Sequence, residues 1–320
     1  MQGWIPYKIT VDDGEALCHW IDTGNQAFSE PFFQETLGKI KGMARHRFFF
    51  NSVSGLTLLE EWAEAVDYVE PTAFIFHISR CGSTLISQLL SLDEQNVSLS
   101  EVPVFDNILR LKYKLPGITD EHTSRLFKAA IKFHGQKRTG SEKYLFIKTD
   151  SWHVHFHKQL RALYPDTPFI LLYRAPDKVF ESHGNLRGIQ MVPGLIEPGI
   201  FGFDEDEIPD FFIHPANVIT SFLKKYIDIA SKDKLSLLLN YNEGMITIMD
   251  KIASFCNIAF SMGLRQKMLQ RTAYHSKYPD QVFTEQRNMP APPYLQEATE
   301  LYDKVEVLRS ITARVNLDMS

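Results

Sequence analysis

The chain has 320 residues, 44% of them hydrophobic and 23% charged, which suits a compact globular protein and excludes collagen, coiled coil and long disorder. Its formal charge of −5 gives no global positive field for nucleic acid or anionic lipid, so any anionic ligand must be met by local cations. Cys18, Cys81 and Cys256 form no disulfide-like framework, residues 1–15 lack a basic patch followed by an apolar run, and no stretch of about 18 apolar residues occurs; a soluble, cytoplasmic chain without nucleic-acid or membrane partners is expected.

Residues 1–71 hold Trp4, Trp20 and Trp62, the clusters Pro31-Phe32-Phe33 and Phe48-Phe49-Phe50, and helical runs at Phe32–Ile40 and Leu56–Ala65. No strand-helix rhythm runs through them. They are predicted to form an aromatic-rich N-terminal extension, its rings buried for packing, against a main domain of residues 72–320. From Thr72 the rhythm begins: strand Ala73–Ser79, helix Thr84–Ser91, strand Val97–Glu101, helix His122–His134, strand Tyr144–Thr149, helix Ser151–Leu163, strand Pro168–Arg174 and helix Pro176–His183. Gly184–Pro215, with its Gly, Pro and the acids Asp204–Glu207, reads as a long irregular loop of the kind that is functional or mobile. A strand at Leu235–Asn240 and a helix at Met245–Phe255 follow, and Tyr294–Val315 has helical periodicity. The apolar runs Phe74-Ile75-Phe76 and Phe169-Ile170-Leu171-Leu172 suit strands covered on both faces. The prediction is an α/β fold with a P-loop-type parallel sheet of about five strands flanked by helices.

The segment Ser79-Arg80-Cys81-Gly82-Ser83-Thr84 joins the first of these strands to its helix. Gly82 permits a tight turn, the first helical N–H groups can meet an oxyanion, Arg80 supplies charge, and Ser83 and Thr84 supply hydroxyls. An ordinary strand-turn-helix connection with a capping serine has the same spacing. The nucleotide fingerprint G-x-x-x-x-G-K-[ST] is not met: His77 stands at the first glycine position and no lysine follows Gly82.

This segment resembles the 5′-phosphosulfate loop of sulfotransferases that use 3′-phosphoadenosine 5′-phosphosulfate (PAPS): a basic residue, a small residue, Gly and two hydroxyl residues. A second family element, a strand ending in Arg, then Pro, then Ser eight positions after the Arg, is matched by Arg174, Pro176 and Ser182. Leu239-Asn240-Tyr241-Asn242-Glu243-Gly244 is more weakly similar to a third, from which Asn242 departs. The resemblance covers roughly Thr72 to Phe260 and implies PAPS as co-substrate, adenosine 3′,5′-bisphosphate as product, no metal, and a small-molecule or peptide acceptor. It implies that Arg80, Cys81, Gly82, Ser83 and Thr84 bind the 5′-phosphosulfate, with Arg80 also acting on the transferred group. Arg174 and Ser182 then hold the 3′-phosphate, a placement that ligand binding at the carboxyl ends of strands makes geometrically reasonable.

Family members use as base either a Glu after the loop or a His after a Lys-Thr pair. Here Lys148-Thr149 is followed by Asp150, which favours Glu101, an otherwise ordinary strand-end glutamate, as the base. Lys148 is assigned to the departing group, against a reading as a snorkelling surface lysine. Asp150 is expected to cap the helix at Ser151, with a role as base the alternative. His153 and His157 share a face if their stretch is helical, and a surface pair is expected there rather than a metal site. Cys81 sits where a thiol pKa is lowered, but steric fit is the expected role. Tyr274–Arg287 reads as a basic flap over the nucleotide. A kinase of the same fold class, or a nucleotide-binding protein without turnover, are the alternatives to sulfuryl transfer.

Overall fold

The computed structural model describes residues 2–206, 209–274 and 292–318, apart from Asn25, Ala27, Ser29 and 44–51, with side chains as far as Ile311. Phe48-Phe49-Phe50 and most of the predicted flap, 275–287, lie outside the described residues.

The chain opens with strands where helices alone were expected. β1 (Trp4–Asp12) and β2 (Glu15–Asp22) form an antiparallel hairpin, and β3 (Ser52–Gly55) pairs with β2. The turn is Asp13-Gly14, both with φ in the left-handed region, the dipeptide that two-residue hairpins favour because it matches the twist of the strands. The expected helical runs are present as α1 (Phe33–Lys41) and α2 (Leu56–Ala63). Trp20 is buried, its ring centroid 5.4 Å from Trp62 and 4.9 Å from Phe133. The hairpin is tied to the rest of the chain where Gln136 accepts from Gly3 N at 3.1 Å and Asn107 accepts from Ile9 N at 3.0 Å.

Five parallel strands form the central sheet: β4 (Pro71–His77), β5 (Asn96–Ser100), β6 (Tyr144–Lys148), β7 (Phe169–Tyr173) and β8 (Ser236–Asn240), in the order β5-β6-β4-β7-β8. The α/β architecture is the one expected, and each predicted strand is found with its ends shifted by no more than about two residues. β4 is central and Ala73, Phe74, Ile75 and Phe76 are wholly buried, which is why its sequence runs apolar without alternation. The helices around the sheet are α3 (Ser83–Leu90), α4 (Pro103–Leu109), α5 (Asp120–His134), α6 (His157–Leu163), α7 (Pro176–Asn185), α8 (Pro198–Phe201), α9 (His214–Lys232), α10 (Met245–Phe255), α11 (Met262–Thr272) and α12 (Gln296–Asp318).

Two expectations are corrected. The helix over Ser151–Leu163 divides into a 3₁₀ turn at Ser151–Phe156 and the shorter α6. Gly184–Pro215 is not wholly irregular: α7 continues to Asn185, a 3₁₀ turn spans Ile189–Met191, and α8 precedes α9, whose buried residues Val218, Phe222, Tyr226 and Ile229 follow helical spacing. Among the described residues no helix is long and apolar enough to cross a membrane. Because the strands are parallel, β4 to β8 all deliver their carboxyl ends to one edge, and the residues that follow them meet there.

Candidate active site

A cleft of about 560 Å³ opens at that edge, lined among others by Ser79, Arg80, Gly82, Ser83, Thr84, Glu101, Asp150, Arg174 and Ser182. The turn after β4 is tightly wound, with Ser79 at φ 68°, Arg80 at φ 52° and Gly82 at φ 82°. Side chains other than glycine seldom adopt this conformation, and it is held here by the packing around it. Gly82 is fixed on two counts, because a Cβ there would also lie 2.7 Å from Met245 Cε and 2.8 Å from the Tyr241 ring. Ser83 and Thr84 then open the first turn of α3, where backbone N–H groups have no partner within the helix. Arg80 donates from its guanidinium to the Leu186 carbonyl, bridging the turn to the segment after α7. Cys81 points away from the cleft: its buried thiol faces the Leu172 carbonyl at 3.5 Å, and burial pushes its pKa up to about 12. It is an unreactive packing residue, in line with the steric expectation.

Arg174 follows β7, and Pro176 opens α7 with the φ a first helical turn needs. Arg174 and Ser182 both line the cleft. The Arg174 guanidinium lies 4.4 Å from the Tyr241 ring centroid and donates to the Arg80 carbonyl at 3.5 Å, so the residue after β7 touches the turn after β4. Tyr241 is held by a capping box at the end of β8, in which the Asn240 side chain accepts from Asn242 N and Glu243 accepts from Asn240 N, each at 2.9 Å.

Glu101 leaves β5 with φ 54°, its N–H bonded to the Lys148 carbonyl at 2.8 Å. Its carboxylate lines the cleft and pairs with the wholly buried Lys148 ammonium, which sits 3.4 Å from Ser100 Oγ. Lys148 is therefore not a snorkelling lysine. His77, at the end of β4, completes the group: Ser79 N–H donates to Nδ1 at 3.1 Å, leaving the ring proton on Nε2, which donates to the Thr149 carbonyl at 3.0 Å and stands 3.4 Å from Glu101. Burial and the Lys148 charge lower the His77 pKa, so the ring is neutral. Burial alone would raise the Glu101 pKa, but Lys148 and His77 outweigh it and hold the carboxyl well below the usual range.

Asp150 occupies the N-cap position before Ser151, yet its side chain makes no capping hydrogen bond. Its carboxyl instead lines the cleft, 3.6 Å from His153 Nε2. Burial, and then the charges of Glu101 and Asp106, raise its pKa well above the ordinary value. His153 and His157 are buried, not a surface pair. His153 turns toward Asp106, which accepts from His153 Nε2 at 3.1 Å, Trp152 Nε1 at 2.7 Å and Arg110 Nη1 at 2.9 Å. Asp106, Asp150 and His153 offer ligand atoms within 4.8 Å of one another, but the Asp106 oxygens are already taken, and the cluster is a hydrogen-bond hub. A carboxyl whose folded pKa is raised keeps its proton longer in the folded state, so stability is lost as pH rises from the unfolded value of about 3.9 through the folded one. Asp150→Asn, which does not titrate, is expected to raise Tm by a few degrees at pH 7 and to match the parent near pH 3; a lower Tm at pH 7 would mean that the ionised carboxylate stabilises the fold.

The structure thus brings Arg80, Gly82, Ser83, Thr84, Glu101, Arg174 and Ser182 onto one cleft, with Lys148 behind Glu101 and Cys81 beneath the turn. Thr272 and Tyr274 close one side. Sequence reasoning missed His77, Asp106 and Tyr241 as parts of the site. Two of them had a local signal: Asp106 in its i,i+4 spacing to Arg110 on a Pro-initiated helix, and Tyr241 in the weakly matching segment Leu239–Gly244.

No family model matches the chain, and no curated protein matches it. Solved structures to which it is similar include several sulfotransferases. Sulfotransferase STF9 from Mycobacterium avium is 14% identical with a TM-score of 0.46 over 80% of this chain and 79% of that one. The sulfotransferase domain from the Synechococcus PCC 7002 olefin synthase is 16% identical with a TM-score of 0.46, covering 76% of this chain and 96% of that one. The sulfotransferase domain from the curacin biosynthetic pathway is 14% identical with a TM-score of 0.42, covering 79% of this chain and 98% of that one.

Proposed function

We propose that the chain transfers a sulfuryl group from PAPS to a hydroxyl or amine of an acceptor. The observation that supports this is the composition of one cleft, lined together by the turn Arg80–Thr84, which has no lysine after Gly82, by Arg174 and Ser182, and by the carboxylate Glu101. In this reading the turn and Arg80 hold the 5′-phosphosulfate, and Arg174 with Ser182 holds the 3′-phosphate. The acceptor oxygen or nitrogen attacks sulfur, the bond from sulfur to the 5′-phosphate oxygen breaks, and adenosine 3′,5′-bisphosphate leaves. Glu101 takes the acceptor proton. Lys148, now bonded to Glu101, turns its hydrogen bond to the departing oxygen as charge builds there, which frees the carboxylate to act as base.

Calorimetric titration tests the donor site. A charge-assisted bond from Arg174 to the 3′-phosphate should contribute about 1.5–3 kcal/mol, so adenosine 3′,5′-bisphosphate is expected to bind about ten- to a hundredfold more tightly than AMP. Arg174→Ala should abolish most of that difference and Ser182→Ala a smaller part. Equal affinities for the two nucleotides in the parent protein would remove the sulfotransferase reading.

A further inference from the structure

We infer that the acceptor is an uncharged hydroxyl compound with an extended apolar body, bound with its hydroxyl at Glu101 and its body across a rim formed by Leu186, Ile189, Phe211 and Phe212. The inference rests on the sulfuryl-transfer reading and names the acceptor class that the same cleft would take.

Phe32, Trp152 and Ile189 line the same cleft as the carboxyl groups Glu101 and Asp150, where the acceptor hydroxyl would sit in this reading. The cations behind these carboxyl groups are already engaged, Lys148 with Glu101 and Arg110 with Asp106 and Glu197. An anionic acceptor would meet the Glu101 carboxylate, whose ammonium partner Lys148 is already engaged with it. Asp150, whose proton is favoured by burial and by the neighbouring Glu101 and Asp106 against the opposing charges of Lys148 and Arg110, can donate to a neutral hydroxyl rather than pair with an ammonium.

The apolar body has a surface to lie on. Ile189 lines the cleft and is still 51% exposed, and Leu186 at 58% and Phe212 at 69% are exposed in the same segment of the chain. Phe211 and Phe212 come from the far end of the same segment and are brought to this rim by two contacts. The Arg187 guanidinium lies 4.1 Å from the Phe211 ring and donates to the Phe211 carbonyl at 3.3 Å, and His214 Nε2 bonds the Gln190 carbonyl at 3.2 Å. Leu186 is in turn bonded through its carbonyl to Arg80 of the phosphate turn. The rim is therefore continuous with the place where sulfur would sit, and an exposed apolar patch in such a position marks a binding surface. Asp204, Glu205, Asp206 and Asp210 stand in the same segment against Arg187, a charge balance that disfavours an anionic membrane as the occupant.

The test uses the full chain, labelled PAPS and straight-chain primary alcohols from butanol to decanol. We expect kcat/KM to rise about three- to fourfold per added methylene until the chain outruns the rim. Ile189→Ser and Phe212→Ser should each flatten that rise while leaving adenosine 3′,5′-bisphosphate affinity at the parent value. Adenosine bisphosphate binding with a flat alcohol series, or with higher turnover on an aspartate-flanked tyrosine peptide, would overturn the inference and leave sulfuryl transfer standing. A rise that neither variant flattens would overturn the placement. Loss of vesicle binding or of a dimer in Phe212→Ser, with the alcohol series unchanged, would assign the rim to a membrane or a second copy instead. Failure of adenosine bisphosphate to bind would overturn both readings.

Discussion

Glu101→Gln is expected to lower turnover with PAPS by about 10²–10⁴-fold, the usual contribution of a general base. The amide keeps the shape of the side chain and its place at the cleft wall but cannot accept the acceptor proton. Nucleotide affinity should change little, because the residues proposed to hold the nucleotide, Arg80, Ser83, Thr84, Arg174 and Ser182, follow β4 and β7, whereas Glu101 follows β5. The pH profile carries the same information. Lys148 and His77 hold Glu101 ionised below the usual carboxylate range against the opposing effect of burial, so the acid limb of kcat/KM should fall below pH about 4.3. Asp150→Asn is the comparison, since Asp150 shares the cleft and its pKa moves the opposite way. If Asp150→Asn abolishes turnover and Glu101→Gln does not, the proton goes to Asp150. Rates need to be measured well below the Tm of each variant, because Glu101→Gln also leaves Lys148 unpaired.

The central sheet was legible because strands buried on both faces need apolar residues at every position, and β4 and β7 are written that way. The turn after β4 was legible because a left-handed Gly between a strand and a helix leaves a local mark. The hairpin β1–β2 carried a mark too: Asp13-Gly14 is a turn dipeptide, and Lys8-Ile9-Thr10-Val11 alternates. The aromatic residues around it drew attention to packing instead. α9 was likewise written in the spacing of Val218, Phe222, Tyr226 and Ile229. Other parts were not local at all. His77 becomes part of the site only because β4 lies beside β6, which carries Lys148 and Thr149, and because the chain after β5 brings Glu101 back to it. Asp150 has the sequence of an N-cap, but a carboxyl placed near Glu101 and Asp106 favours its proton, and its side chain makes no bond to the turn it precedes. Spacing predicts which side chains can reach an edge; the charges that other strands bring there decide what each one does.

Lys148→Met and Glu101→Gln should each destabilise the fold, and the double variant should recover most of the loss. Removing one partner of a buried ion pair leaves the other without compensation and typically costs about 3–5 kcal/mol, whereas removing both can be nearly neutral. The two losses should be unequal. Lys148 has a side-chain exposure of 0% and Glu101 of 24%, so Glu101→Gln strands an ammonium with no access to water, while Lys148→Met leaves a carboxylate that the cleft can hydrate and His77 can still meet. Glu101→Gln is therefore expected at the upper end of that range and Lys148→Met at or below the lower end, measured by urea unfolding at pH 7. Acid should close the gap between parent and Glu101→Gln. A carboxyl with a depressed folded pKa stabilises above its unfolded value of about 4.3 and loses that contribution as pH falls through the folded value. Losses below about 1 kcal/mol in both single variants would mean that the pair behaves as a solvated surface bridge. In that case Lys148 would be free to swing without disturbing Glu101, and the coupled hand-over of its hydrogen bond to the leaving oxygen would lose its physical basis.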